Sequence, residues 1–553
     1  MHDASVDAGA GAASTPWSSF APGAVPSALA GIRVLDLSGL AGQYCGKQFA
    51  DLGAEVILVE PVTGSPVRHD GPFLDDRVHI EYSLQFAYFN AGKRGIAIDL
   101  DRPEGQRILR QMAKGADLII ETEKPGTMSK RGLDHATLSA SNPGLVMTSV
   151  TPFGQTGPYA QYEAEDLVAL ALGGLLYLGG YPDTPPIAAY GNQAYLAAAQ
   201  FASVASMMAL LSMDDGPERV GRHVDVSIQE CVTMGLETAI QYYDLEKTVR
   251  KRASGQQIMA GVGVFECADG QIYLMAGGIA STRFWENLVR WLMDEGVEAA
   301  QRLLEPAWES HDHLAKPEAK TIFGELFAPF ARNHTKTYLY RTGQSRRIPI
   351  CPINTPRDIL TSRQLDYRGF FVAQDHTPSG RKLVVPGAPY RLEATPWRQT
   401  RPAPRLGEHT SEILAALGYE PIGFARDDDA LTACRTGCER FDAIVIGHAP
   451  AAKALGLAVA LNRAAPSLPI VLAMTSTEDF DTSALATAGC ATETIGERLI
   501  FDTAGSPCGR SDRTKILKDD YSVSRAILAR SSAPCGAKCV TAVTLIRWLV
   551  TVL

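Results

Sequence analysis

Positive charge is in short supply in this sequence: 52 lysines and arginines face 61 aspartates and glutamates, a formal net charge of -9. Binding nucleic acid in general takes a basic surface to neutralise phosphates, so that class is excluded, although local basic clusters can still hold a small phosphorylated ligand. Residues 1–30 lack a cationic start followed by an apolar stretch, and are rich in Ala, Ser, Gly and Pro. That composition predicts a disordered tail and no secretory leader. Long apolar runs are few. The most apolar stretch, 194–213, carries Gln200, Ser203, Ser206 and Ser212, and reads as a buried helix of a soluble protein rather than a membrane span. Residues 541–553 are too short to cross a bilayer. The ten cysteines are scattered, and the pairs Cys434/Cys438 and Cys535/Cys539 have no histidine cluster beside them. Reduced thiols, no metal and a cytoplasmic location are therefore expected. No internal repeat is present.

What is there reads first as α/β. Apolar strand candidates at 31–37, 54–60, 95–100, 117–121 and 145–150 alternate with helix candidates, among them 42–52 and 103–114, the second opened by Pro103. This alternation predicts a parallel, doubly wound sheet. Beyond residue 160 the pattern turns helical, at 166–178, 194–213 and 223–243. A hairpin is expected at 263–276 around an Ala-Asp-Gly turn. Thr395 to Pro404 is a proline-rich connector. From about 410 a second, smaller α/β alternation begins, with apolar strands at 442–446 and 468–473. After about 497 the pattern dissolves.

Several motifs offer chemistry, each against a plainer reading. Glycines 39, 42 and 46 follow the first strand, and Glu60 ends the second, imitating a dinucleotide fingerprint. The spacing is G-x-x-G-x-x-x-G rather than G-x-G-x-x-G, so nicotinamide or flavin binding is not favoured. Lys93 and Arg94 stand on a turn before a strand, and Lys130 and Arg131 on a second turn. Either pair is able to hold phosphate, or is simply solvated. Phe153-Gly-Gln-Thr-Gly-Pro-Tyr159 is a glycine-rich loop where α/β proteins bind ligands. Glu165 and Asp166 then open an apolar helix. An acid there is ordinarily a helix cap, and the alternative is a nucleophile or acid/base group.

Taken in order, these segments resemble the class III CoA-transferases, a superfamily that includes formyl-CoA transferase, carnitine and bile-acid CoA-transferases, and α-methylacyl-CoA racemase. The series runs Val34-Leu-Asp-Leu-Ser38, Asp51-Leu-Gly-Ala-Glu-Val56, Asn90-Ala-Gly-Lys-Arg94, Ile98-Asp-Leu100 with Pro103-Glu-Gly105, and Ala116-Asp-Leu-Ile-Ile-Glu121. It continues through Pro125-Gly126, Arg131-Gly-Leu133, Asn142-Pro143, the 153–159 loop, Asp166 and Gly221-Arg-His-Val-Asp-Val-Ser227, and closes with Pro402 to Thr410. It covers about residues 31–418.

The resemblance implies a Rossmann-like large domain of about 31–220 plus a returning C-terminal part, a smaller α+β domain of about 225–345, and an interlinked homodimer. It implies transfer of CoA between carboxylic acids, with a CoA thioester as substrate and no permanently bound cofactor. Asp166 matches the nucleophile, passing through a mixed anhydride and an aspartyl-CoA thioester. Leu40, Ala41, Lys93, Arg94, Lys130 and Arg131 match CoA-binding positions. Gly154 and Gln155, with Gly261 and Gly263, are candidates for active-site loops. The racemase branch carries a histidine where Glu165 stands and a second acid near Ala194; neither is present, which favours transfer over racemisation. Glu60-Pro61 replaces the usual Glu-Arg, so one phosphate contact is expected to be lost or moved to Arg68. Glu165 is expected to raise the Asp166 pKa. The alternative in another class is a non-catalytic CoA-binding or scaffold protein. Residues 419–497 resemble, more faintly, a response-regulator receiver without its phosphoacceptor, since Gly447 occupies that position.

Overall fold

The computed structural model describes residues 27–213, 220–252, 257–277 and 282–419, and beyond them only short strands. Six strands form one parallel sheet: β1 (Arg33–Asp36), β2 (Glu55–Glu60), β3 (Arg94–Ala97), β4 (Leu118–Glu121), β5 (Val146–Thr151) and β6 (His223–Ser227). Their order across the sheet is β3-β2-β1-β4-β5-β6. The order reverses between β1 and β4, so the loops after these two strands open side by side, where α/β sheets take ligands.

The strands carry apolar side chains on both faces, as a doubly covered sheet requires. On one face Val34, Val56, Leu118, Ile120, Val146 and Val150 pack against Cys45 and Phe49 of the Leu40–Asp51 helix and against the alanines of the Gln193–Leu211 helix. On the other, Leu35, Ile57, Ile96, Ile119 and Met147 meet Ile108, Leu109 and Met112 of the Pro103–Ala113 helix. Ile413 and Leu414, on the Thr410–Ala416 helix, and Leu417 after it, complete that second face from the far end of the described region.

The return of the chain is anchored residue by residue on β3, an edge strand. Gly92 N–H donates to the Arg401 carbonyl, and His409 N–H to the Gly95 carbonyl. Gly95 N–H donates to His409 Nδ1, and Ala97 N–H to Thr410 Oγ1. A separate core, running from Ala260 to Ile350, is built on β7 (Val262–Cys267), β8 (Gly270–Met275) and β9 (Ile350–Ile353) with an aromatic set that includes Trp285, Trp291, Phe323 and Phe327. The hairpin expected at 263–276 is the β7–β8 pair.

Three expectations change. The helix read from 223 begins as a strand: His223 to Ser227 pairs with Met147 to Thr151 and completes the sheet. The alternation His-Val-Asp-Val-Ser is a period-2 pattern, and the helix starts only at Ile228, capped by the Ser227 hydroxyl. The helix read from 166 to 178 is two, Asp166–Leu172 and Leu175–Leu178, divided at Gly174 with φ +88°. The Gln193–Leu211 helix is buried on one face only. Ala194, Ala198, Ala202 and Ser206 face the sheet, while Phe201, Val204, Met208 and Leu211 are exposed. By length and composition alone it is also long and apolar enough to cross a membrane.

Beyond residue 419, Ile444–Gly447 pairs in parallel with Ile470–Ala473. Apart from these and other short strands, the receiver-like stretch and the region after 497 lie outside the described residues, as does the tail 1–26.

Candidate active site

Asp166 is the first residue of its helix and is only 9% exposed. Its carboxylate does not cap that helix. Instead Oδ1 accepts a hydrogen bond of 3.0 Å from the backbone N–H of Tyr195, the third residue of the Gln193–Leu211 helix. The first amides of a helix have no acceptor within it. Here Asn192 stands at the N-cap without a side-chain bond to them, and Asp166 arrives from another element to fill that place. Burial pushes the Asp166 carboxyl above its ordinary value, while the amides of Tyr195, Ala194 and Gln193 pull it back down. The cause of the rise is thus desolvation, not the neighbouring Glu165 expected from the sequence. Tyr195 is half-buried, and its phenol is pushed upward by burial and then by the Asp166 and Glu165 charges. Position 194, where a racemase would carry its second acid, does lie beside Asp166. The residues there are Gln193, Ala194 and Tyr195, so no second carboxylate is supplied.

Leu40 and Ala41 begin the Leu40–Asp51 helix, after β1. Gly39 N–H donates to Thr122 Oγ1, which ties this turn to the loop after β4. Gly46 leaves no room for a side chain: an added Cβ would lie 2.1 Å from Asp36 Oδ2. Gly46, one of the glycines that imitate a dinucleotide motif, therefore serves close packing of helix on strand. Gly154 adopts φ +84°, and Gln155 N–H donates to both carboxylate oxygens of Asp225 on β6, at 3.1 and 3.0 Å. The 153–159 loop is thereby anchored to the sheet edge.

The basic pairs divide. Lys93 is fully buried; its Nζ donates to Asp36 Oδ2 at 2.6 Å, to the Gln43 carbonyl at 2.8 Å and to Asn90 Oδ1 at 2.9 Å. Arg94 is nearly buried between Glu55 and Glu412. Arg68 is buried in a fork on Glu60, with Glu81 and the Pro404 carbonyl completing its set. Lys93 and Arg94 were expected to bind CoA, and Arg68 was one of two outcomes for the contact missing at Pro61; the described partners of all three are internal acceptors. Adjacent cations on a turn read as a phosphate site, but their partners lie up to 318 residues away in sequence. Lys130 is exposed, and Arg131 is held by Asp101 and Glu123 beside it. Gly261 and Gly263 open β7, where Gly261 abuts Trp285 in the second core. Their described contacts lie there, not at Asp166.

A second cluster was not marked by the sequence. Glu121, at the end of β4, is buried; its carboxylate accepts from the Glu123 N–H and pairs with the Ser149 hydroxyl, and burial raises its pKa to about 7. Ser149 Oγ lies 2.9 Å from His223 Nε2, and His135 stacks on His223. These groups border a cavity of about 260 Å³ reaching Gln155 and Ser129.

The sequence profile of CoA-transferase family III matches residues 29–410. The chain belongs to CoA-transferase family III. It is 40% identical over 387 residues to the succinyl-CoA:(R)-benzylsuccinate CoA-transferase subunit BbsE of Thauera aromatica, spanning 70% of this chain and 93% of that one. It is 30% identical to the succinyl-CoA–D-citramalate CoA-transferase of Chloroflexus aurantiacus, over 73% of this chain and 97% of the relative. Among solved structures, a CAIB/BAIF family protein from Brucella suis superposes with a TM-score of 0.63 at 26% identity, covering 71% of this chain and 99% of that one. The transferase thus moves CoA between carboxylic acids, with a CoA thioester as substrate.

Proposed function

We propose that the transferase takes CoA from succinyl-CoA and delivers it to a second, dicarboxylic acid through covalent intermediates on Asp166. The observation that carries this reading is the buried carboxylate of Asp166, held by the neutral Tyr195 amide at a helix start. The choice of donor rests on the relatives, named as transferases of succinyl-CoA with (R)-benzylsuccinate or D-citramalate. In this scheme Asp166 attacks the thioester carbonyl, the C–S bond breaks, and CoA leaves as thiolate. The thiolate then attacks the aspartyl carbonyl of the mixed anhydride and expels the donor acid, leaving aspartyl-CoA. The acceptor carboxylate reverses both steps. Thioester is exchanged for thioester, and covalent catalysis divides one difficult exchange into easier ones.

Leu40 and Ala41 line the CoA path in this reading. Lys130, with Arg131 behind it, is the cation offered to the nucleotide phosphates now that Lys93, Arg94 and Arg68 are accounted for internally. A second copy of the chain covers the exposed Phe201, Val204, Met208 and Leu211, and brings its own Gly261 and Gly263 toward Asp166. Native mass measurement on the chain expressed alone reports this assembly directly.

The test of the chemistry is Asp166→Asn, which keeps the bulk and removes the nucleophile. Transfer should fall below about a thousandth of the parent rate, equivalent to roughly 4 kcal/mol of barrier. Incubation with succinyl-CoA should give a covalent mass adduct on the parent and none on the variant. Retention of the rate in Asp166→Asn would remove Asp166 from the mechanism.

A further inference from the structure

We propose that the first amides of the Gln193–Leu211 helix form the oxyanion hole for the two steps in which Asp166 is itself attacked. The inference rests on the aspartyl pathway above and assigns catalytic work to groups that no side chain reveals.

The two oxygens of Asp166 have different fates in that pathway. Oδ1 accepts the Tyr195 N–H at 3.0 Å, and Oδ2 is taken as the nucleophile. Once the anhydride exists, Oδ1 is the aspartyl carbonyl oxygen. When CoA thiolate adds to Cγ, the C=O π pair moves onto Oδ1. Collapse restores C=O, breaks Cγ–Oδ2, and releases the donor acid carrying that oxygen. When the acceptor carboxylate adds to Cγ of aspartyl-CoA, the same pair moves onto Oδ1 again, and collapse expels the thiolate. Negative charge is thus built twice on the one atom already seated at the helix start.

An ordinary cap does not account for the arrangement. Asn192 is in place to cap and makes no side-chain bond to the helix amides. The donors are neutral amides, and no cation acts on the carboxylate among the described groups. A salt bridge would hold the carboxylate and slow its attack. Amides aimed at a helix start bind carboxylate and oxyanion alike, and need no reorganisation as charge forms on a group only 9% exposed. The helix is 19 residues long, so its N-terminal dipole is fully developed.

The test removes the Tyr195 N–H by two routes. The first is Tyr195→Pro, at a first-turn position where proline is accommodated, compared with Tyr195→Ala, which keeps the amide and reports the phenol's own share. The second replaces residue 195 by the hydroxy-acid analogue of tyrosine, which turns the amide into an ester and leaves the side chain in place. The ester protein should transfer CoA about a hundredfold more slowly than its parent, the usual loss for one oxyanion donor, and Tyr195→Pro should fall well below Tyr195→Ala. In rapid-quench mass spectra with succinyl-CoA, the succinyl adduct should build up ahead of the CoA adduct. An ester protein that transfers at the parent rate, with Asp166→Asn inactive, overturns the oxyanion assignment alone. An active Asp166→Asn overturns the aspartyl pathway itself. Should Tyr195→Pro fail to fold, the ester protein still decides.

Discussion

Replacing Lys93 by Met separates a structural cation from a ligand-binding one. The side chain is fully buried, and its ammonium makes three hydrogen bonds, the shortest to Asp36 at 2.6 Å. Desolvation pulls the lysine pKa down, and Asp36 opposes that pull. Methionine fills most of the volume but leaves Asp36 buried, with Ser38 as its remaining partner and no counter-charge. Breaking one side of a buried pair costs about 3–5 kcal/mol, whereas replacing both sides with matched apolar or neutral groups is close to neutral. Lys93→Met should therefore lower the denaturation free energy by about 3–5 kcal/mol, and Asp36→Asn combined with Lys93→Met should recover most of that loss. The Gln43 carbonyl held by Lys93 lies in the helix that begins at Leu40, so any rise in the Michaelis constant for acyl-CoA should track the loss of stability and vanish with it. The assay is guanidinium denaturation of each variant alongside steady-state kinetics. If Lys93→Met unfolds within about 1 kcal/mol of the parent while its Michaelis constant rises tenfold or more, Lys93 touches CoA and the reasoning is wrong.

Glu121 should make stability fall with pH. Its folded carboxyl sits at about 7 against an ordinary 4.5, so the folded chain binds the proton more tightly than the unfolded chain. The contribution is fully present below pH 4.5 and is lost as pH rises through 7, by about 3 kcal/mol in all. Glu121→Gln should be the more stable protein at pH 8.5 and lose its advantage near pH 4.5; parallel pH dependences measured by denaturant melts would contradict this. Because burial raises the Asp166 carboxyl, the acid limb of the transfer rate should lie above the range of an exposed aspartate, and a limb near pH 4 would count against it. A chain truncated after Pro421 should transfer CoA at close to the full-length rate, since it keeps Ile413, Leu414, Leu417 and Tyr419, which pack on the large sheet. One truncated after Glu408 loses Ile413, Leu414 and Leu417 from the core and should be insoluble or inactive; full activity in that shorter chain would show the return segment to be dispensable.

Much of this was written locally. Strands β1 to β5 were legible as apolar runs, and their helices as capped or proline-started segments, because a strand buried on both faces needs continuous apolar sequence. Strand β6 was not legible, because five residues joined directly to a helix give a period-2 signal too short to outweigh the helical pattern after it. Asp166 was legible by position within an ordered series of motifs. Its partners were not: a backbone N–H belongs to every residue but proline, so no residue type marks Tyr195 as a donor. The one hint was indirect, since the racemase's second acid falls at Ala194. The internal partners of Lys93, Arg94 and Arg68 were hidden for the opposite reason. Charge on a turn is visible in sequence, while the acids that neutralise it come from distant segments.

The segment that returns along β3 sets a schedule for synthesis. Until residues 401–417 leave the ribosome, one edge of the large sheet has open hydrogen-bonding groups and one of its faces lacks a helix. The whole of the second core is made in the interval. A nascent transferase is therefore committed to holding an unfinished sheet across some three hundred residues of translation, the state in which unpaired edges invite intermolecular pairing. Translation speed through 260–400, and the chaperones that guard exposed edges, should bear on the yield of this protein as much as its final stability does.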